Sequence, residues 1–481
     1  MGASDFLQLD SGQAPAGERT AWLASQLRAA VADGRLPHGA RLPATRVLAA
    51  ELGLARGTVA EAYRRLLEEG LLATNRGGGT IVTGSRGPRA AASVETPDAA
   101  SGSTLHNSAA GSAARSPEPI LDLSTGLPDL SAFPRAAWLR AEREVLDTAG
   151  ARELGYSRPE GPLVLREALS EWLARSRGVV CTPDDVIVTG GVTGAIALLA
   201  QTLRTHDLTR WAMEDPGSTG TRRLLDYWVD ETVPVDVDDD GIDVGALRST
   251  GARVVVVTPA HEYPTGVVLA PERRLALVDW AEEVDGIVIE DDYDAEHRYD
   301  RMPVRALQSL APHRIAYVSS LSKTLAPALR LGWLVPPKRL HDELAERRWA
   351  SDLGSPVVAQ LVLARLLKSG ILERQLRTLR TRHRQRRDAA VAAVSRYLPQ
   401  AEVQGVAAGL HVLVLLPDHV DDVKLAEDAR ENGIRVAPLS PMRSRAGRPG
   451  IVIAYGHHSP AILERAVRTI GRLVEATAPT G

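Results

Sequence analysis

RIAYVSSLSKTLAPALRLGW, residues 314–333, decides the fold of most of this chain. Its apolar start, Ile315 to Val318, reads as a strand buried on both faces. Lys323 follows that strand directly, preceded by Ser320 and Ser322 and followed by Arg330. Lysine normally prefers the surface, and only four occur among 481 residues: Lys323, Lys338, Lys368 and Lys424. An amine held at the end of a strand can form a Schiff base with an aldehyde cofactor once its surroundings lower its pKa. The neighbouring hydroxyls and guanidinium suit a phosphate. For a lysine taken alone, a surface position at a strand-to-loop boundary is the plainer alternative.

Three other segments supply what such a cofactor needs. VIVTGGVTGAIALLA (186–200) reads as strand, tight glycine turn and helix, so the amides of Gly191, Val192 and Thr193 form an anion site at the helix start. GIVIEDDYDAE (286–296) places carboxylates at the carboxyl end of a buried strand, where open α/β sheets bind ligands. A pyridine ring nitrogen needs an acidic partner to stay protonated; Asp291 is the choice for that role, with Tyr293 donating to the ring oxygen. The same EDDYD run also reads as a metal cluster or a solvated acidic loop. TPAHEYPTGVVL (258–269) is a strand followed by a Pro-Thr-Gly turn.

These strands alternate with longer amphipathic helices, which predicts an α/β domain with a mostly parallel sheet and helices on both sides. The last hundred or so residues (HVLVLL, IRVAPL and GIVIAY between helices) predict a smaller α+β part from about 365 to 481. Residues 85–118 are rich in Ala, Ser, Gly and Pro, have no aromatic residue and show no period, and they read as a flexible linker. The expected boundaries are therefore 15–84, 85–118 and 119–481.

Before the linker the charge is lopsided: Pro15 to Arg89 carries eleven arginines and six acids, while the whole chain is −3. Three helical patterns follow one another, with Trp22, Leu23, Leu27, Ala30 and Val31 on the first. Val47, Leu48 and Leu52 mark the second, and Val59, Ala62, Tyr63, Leu66 and Leu67 the third. LLATNRGGGTIV then reads as two strands around a glycine-rich tip, giving a winged helix-turn-helix. A recognition helix needs polar groups at its N-terminal end. Arg56, Thr58 and, a turn later, Arg64 provide them, Arg46 sits in the preceding turn, and Arg76 with Gly77, Gly78 and Gly79 forms a wing tip fit for the minor groove. An ordinary solvated arginine face is the reading from charge alone.

The run 36–82 resembles the N-terminal domain of GntR-type transcription regulators, and by that resemblance Arg46, Arg56, Thr58 and Gly78 are the principal contacts to a double-stranded DNA operator. Ala55 stands where those domains usually carry Ser or Thr. The segments after the linker resemble fold-type-I, aspartate-aminotransferase-like proteins that bind pyridoxal 5′-phosphate (PLP). The two together resemble the MocR subfamily. This implies PLP as cofactor, Lys323 as its Schiff-base and catalytic lysine, Asp291 at the pyridine nitrogen and Tyr293 at the phenolic oxygen. It puts Gly191, Val192, Thr193, Ser320 and Arg330 around the phosphate, with Ser322 and Tyr263 also in the cofactor site. Tyr156, in GYSRPEG, matches a tyrosine that reaches the partner subunit's phosphate, which implies a homodimer, head-to-tail, with shared sites.

Three departures bear on activity. Ser218 replaces the tyrosine of an EDPGY pattern, and Tyr263 the asparagine of an NPTG turn. Val452, in IVIAYGHHS, stands where aminotransferases carry the arginine that clamps the substrate α-carboxylate; valine makes no bidentate contact. Arg443, Arg445 and Arg448 are the nearby candidates to replace it. The expectation is a cytoplasmic transcription regulator that senses a small effector, PLP itself or an amine or amino-acid-like ligand, with transamination weak or absent. The alternative is a working aminotransferase carrying an accessory DNA-binding domain. No metal is expected. One cysteine, Cys181, excludes an internal disulfide, and no long apolar run or basic-then-apolar leader predicts a membrane span or export.

Overall fold

The computed structural model describes residues 14–15, 18–32, 35–68, 71–75, 79–83, 121–124, 126–299 and 304–477. Arg76, Gly77, Gly78 and the expected linker up to Glu118 lie outside these described residues. The chain divides into two compact units, 1–113 and 114–481.

In the first unit, helices Arg19–Ala32, Thr45–Glu51 and Arg56–Glu68 precede the strands Leu72–Asn75 and Gly79–Val82. A two-residue strand, Arg41–Leu42, pairs antiparallel with Gly79–Val82 and completes a three-stranded sheet. Leu23, Leu27, Leu48, Leu52, Val59, Ala62, Tyr63 and Leu66 form one core. The i, i+3, i+4 spacing that predicts these helices is also what packs them. Of the three apolar residues that mark the second helix, Val47 is 39% exposed. Leu48 and Leu52, one turn apart, take the buried side, and the residue before Leu48 turns away from it.

The second unit is built on an eight-stranded sheet. Its order is Ile187–Thr189, Gly332–Val335, Ile315–Ser320, Ile287–Asp291, Val254–Val257, Arg210–Asp215, Glu231–Asp238 and Gly241–Ile242. The five strands from Ile315–Ser320 to Glu231–Asp238 are mutually parallel. Gly332–Val335 runs antiparallel to both its neighbours, because the chain turns straight back after Lys323 rather than crossing over through a helix. All six residues of Ile315–Ser320 are buried, as expected for a strand covered on both faces.

The smaller part has the four-stranded antiparallel sheet Glu402–Gln404, His411–Leu415, Gly450–Ala454, Ala437–Pro438. The long helix Ile371–Tyr397 and helix Pro460–Ala476 pack on its core. The run IRVAPL is split. Ile434–Arg435 pairs with Leu121–Asp122, from the start of the unit, and Ala437–Pro438 joins the small sheet.

Candidate cofactor site and nucleic-acid interface

The carboxyl ends of the parallel strands open into a cavity of about 330 Å³. Lys323, Asp291, Tyr293, Val192, Thr193, Ser320, Ser322, Arg330, Tyr263 and Ser218 all line it. Asp291 ends its strand beside Val318 of the neighbouring one, so a few residues of each strand bring the carboxylate and the lysine to the same rim. Burial lowers the Lys323 ammonium more than Asp294 and Asp291 hold it up, leaving the amine easier to deprotonate than an ordinary lysine. Burial and the neighbouring Asp292 and Asp294 push Asp291 up to about 7, against the pull of Lys323.

The acidic run diverges. Glu290 accepts from the amides of Leu307 and Gln308, both at 2.8 Å. Asp292 pairs with buried Arg177 at 2.6 Å and accepts from the Tyr317 hydroxyl at 2.6 Å. Asp294 lies 2.9 Å from His261 Nδ1. Asp291 alone lines the cavity, and its Oδ1 is buried with no hydrogen-bond partner among the described residues. A metal held by this whole run is therefore not what these directions build.

Across the cavity, Gly191 precedes helix Val192–Arg204 with φ 88°, a conformation that favours glycine. A Cβ there would meet the Arg330 guanidinium at 3.2 Å, so the glycine lets the charge approach the helix start. Arg330 itself has φ 49° and donates to the Gly190 carbonyl. Unpaired first-turn amides and a guanidinium together form a cradle for a phosphate dianion. Gly126 is a further close approach: a Cβ on it would sit 3.4 Å from Lys323 Nζ. An orphaned buried carboxylate oxygen, an amine at lowered pKa and an anion cradle fit the ring nitrogen, aldehyde and phosphate of PLP.

Several lining residues were not legible in the sequence. Glu214 accepts from Thr258 Oγ1 at 2.6 Å, and burial pushes it up to about 7. His411 lines the cavity with its ring 4.8 Å from that of Tyr263, and burial lowers it to about 3. His261, Asp294 and His411 bring three possible ligand atoms within 4.8 Å of one another. His261 Nδ1 is also 3.1 Å from the Tyr293 hydroxyl. Below Lys323, its carbonyl lies 2.9 Å from His297 Nε2, His297 Nδ1 lies 3.5 Å from His383 Nδ1, and the Asp129 amide donates to His383 Nε2 at 3.3 Å. Isolated histidines carry no sequence pattern, so no signal pointed to them.

Tyr156 does not line the cavity and is 92% exposed. Val452 sits in an apolar cluster with Leu413, Leu439 and Met442, against which Tyr263 packs. Arg443, Arg445 and Arg448 line a separate cleft, with Arg445 paired to Asp236 at 2.6 Å and Arg448 to Glu402 at 2.8 Å. None of the three lines the cavity of Lys323, where Arg330 is the one arginine in the lining among the described residues.

In the first unit, Arg56 and Thr58 occupy the first turn of helix Arg56–Glu68, and Arg46 the first turn of Thr45–Glu51. Arg46 and Arg56 are exposed. Arg64 is held by Glu61 at 2.6 Å.

Residues 20–82 match the bacterial regulatory proteins of the gntR family, and residues 118–470 match the aminotransferase class I and II family. The chain is 35% identical over 441 residues to the HTH-type pyridoxine biosynthesis transcriptional regulator PdxR of Corynebacterium glutamicum, covering 91% of each chain. It is 30% identical over 457 residues to the probable rhizopine catabolism regulatory protein MocR of Rhizobium meliloti, covering 93% of this chain and 92% of that one. Among solved structures, Pyrococcus horikoshii kynurenine aminotransferase superposes with a TM-score of 0.69 at 25% identity, covering 75% of this chain and 92% of that one. The chain thus belongs to the MocR-type transcription regulators, in which a DNA-binding gntR domain is joined to an aminotransferase-like domain whose cofactor is pyridoxal 5′-phosphate.

Proposed function

We propose that this protein is a cytoplasmic, homodimeric regulator whose aminotransferase-like domain senses PLP itself. The observation that carries this reading is that, among the described residues, Arg330 is the one arginine lining the cavity. Arg330 belongs with the phosphate cradle, and Val452 offers only apolar surface where a carboxylate clamp would stand. An amino-acid substrate would find no bidentate partner there. The relative named for pyridoxine biosynthesis points the same way.

Bound PLP supplies an aldehyde for an amine and a ring that draws electrons. Lys323 offers that amine, Asp291 holds a proton at the ring nitrogen, and Tyr293, kept in place by His261, donates to the ring oxygen. Gly191, Val192, Thr193, Ser320, Ser322 and Arg330 hold the phosphate, and Tyr263 closes the substrate side. Tyr156, an aromatic ring left in solvent on one chain, reaches the partner's site in a head-to-tail dimer. Residues 15–84 read DNA through Arg46, Arg56 and Thr58, with Arg76 and Gly78 at the wing; 85–118 tether them to the sensing domain, 119–481. Uptake of PLP shifts the dimer between two placements of its winged helices and so changes their fit to two half-sites.

The test is an operator-binding titration with and without PLP, on the wild type and on Lys323→Ala. PLP is expected to change the wild-type affinity severalfold and, at the same concentrations, the variant's far less. A wild type indifferent to PLP but responsive to an amine would sink the cofactor-sensing reading. In the same assay Arg56→Ala should weaken operator binding about 5- to 150-fold, as expected for losing a base or phosphate contact worth about 1–3 kcal/mol.

A further inference from the structure

Helix Ile371–Tyr397 has a buried side that ties it to the cofactor lysine and an outer side that nothing described so far uses. Leu372, Leu376, Leu379, His383, Ala390 and Val394 face inward. Residues 374–387, RQLRTLRTRHRQRR, carry seven arginines and no acid. The rest of 114–481 has 39 basic and 50 acidic residues, so this stretch stands against an acidic background.

The seven arginines divide by what they touch. Arg382 and Arg386 both pair with Asp129, at 3.1 and 2.8 Å, and Arg380 Nε donates to the Glu296 carbonyl at 2.5 Å. Arg387 is 3.7 Å from Asp388 and largely buried. Those four hold the fold. Arg374, Arg377 and Arg384 are exposed. Among the described residues Arg374 and Arg377 have no ion pair, and Arg384 has only Asp388 at 4.0 Å. Like charges three or four residues apart cost a helix about 0.2–0.5 kcal/mol per pair, so this row does not serve the helix's own stability.

At 100° per residue these three side chains fall within an arc of about 80°, and ten residues of helix space them over ~15 Å. Each DNA strand carries a phosphate about every 3.4 Å of helix axis and winds around it, so neighbouring phosphates lie further apart than that and a row of this length meets about three of them. Guanidinium forks match phosphate oxygens. We infer that this face is a second, sequence-independent DNA contact, gripping the backbone of operator DNA outside the half-site read by the winged helix. The 37 residues between Thr83 and Leu121 reach at most about 130 Å when fully extended, so a duplex held by the first unit lies within range.

The experiment uses the full-length R374Q/R377Q/R384Q variant, since glutamine keeps the helix propensity while removing the charge. Affinity is measured against salt on a long operator fragment and on one trimmed to the half-sites. On the long fragment the variant is expected to bind at least tenfold more weakly. Its slope of log affinity against log salt should be shallower by about 2–3, from three lost phosphate contacts at roughly 0.9 each. On the trimmed fragment it should match the wild type, as should its sedimentation mass and PLP absorbance. Unchanged affinity and slope on the long fragment would overturn the inference, as would equal losses on both fragments. A fall to monomer would give this face to a second copy of the chain instead.

Discussion

Lys323→Ala is expected to abolish the visible absorption of bound PLP while leaving the fold intact. On the proposed reading this amine is the nucleophile that takes the cofactor's aldehyde, and burial already favours its neutral form. Alanine removes that group without disturbing the turn that carries it, where Leu321 is buried. Denaturant midpoints should stay close to the wild type, because the side chain contributes chemistry rather than core packing. PLP would still find the phosphate cradle and Asp291, so weak, non-covalent binding should remain. A variant that keeps the band, and in which borohydride traps PLP on the protein, would show that another amine does this work.

Arg177→Ala carries the largest expected cost in stability. Arg177 and Asp292 are each 1% exposed at the side chain and meet at 2.6 Å, and Arg177 also donates to the Val304 carbonyl. Removing one partner leaves the other as an unpaired buried charge, a change that costs about 3–5 kcal/mol. That is a large share of the roughly 5–15 kcal/mol by which domains are usually stable. The expected readout is a marked drop in the urea midpoint of the 114–481 unit's transition in the full chain. Removing both charges together, as Arg177→Met with Asp292→Leu, should recover much of the loss. If the double variant is as unstable as the single one, packing around the guanidinium rather than its charge is what matters. Because Asp292 adjoins Asp291, the single variant should also bind PLP more weakly.

Much of the cofactor site was legible because its chemistry lies on short contiguous runs. Lys323 with its serines, the Gly191 turn and the Asp291–Tyr293 pair each occupy one strand end and the residues after it. A parallel sheet brings such ends to one rim whatever the length of chain between them. The winged helix was legible for a related reason: its core positions follow helical spacing, and its polar residues fall at helix starts. Val47 marks the second helix as expected, but a seven-residue helix has too few apolar positions to fix which side faces in.

What stayed hidden depends on direction and on distant pairing. EDDYD reads as one acidic cluster, yet its carboxylates part toward backbone amides, Arg177, His261 and the cavity. The histidines His261, His297 and His383, and Gly126 beside Lys323, come from separate segments with no shared pattern. Gly332–Val335 looks like any buried strand, and only its hydrogen bonds reveal that it runs against its neighbours. Sequence by itself determined which residues have the right chemistry, because side-chain type and local period are properties of neighbours in the chain. Tertiary structure alone decided which of them face one another and which are neutralised. Burial, charge pairing and the apolar surroundings of Val452 are set by groups that lie far apart until the chain folds.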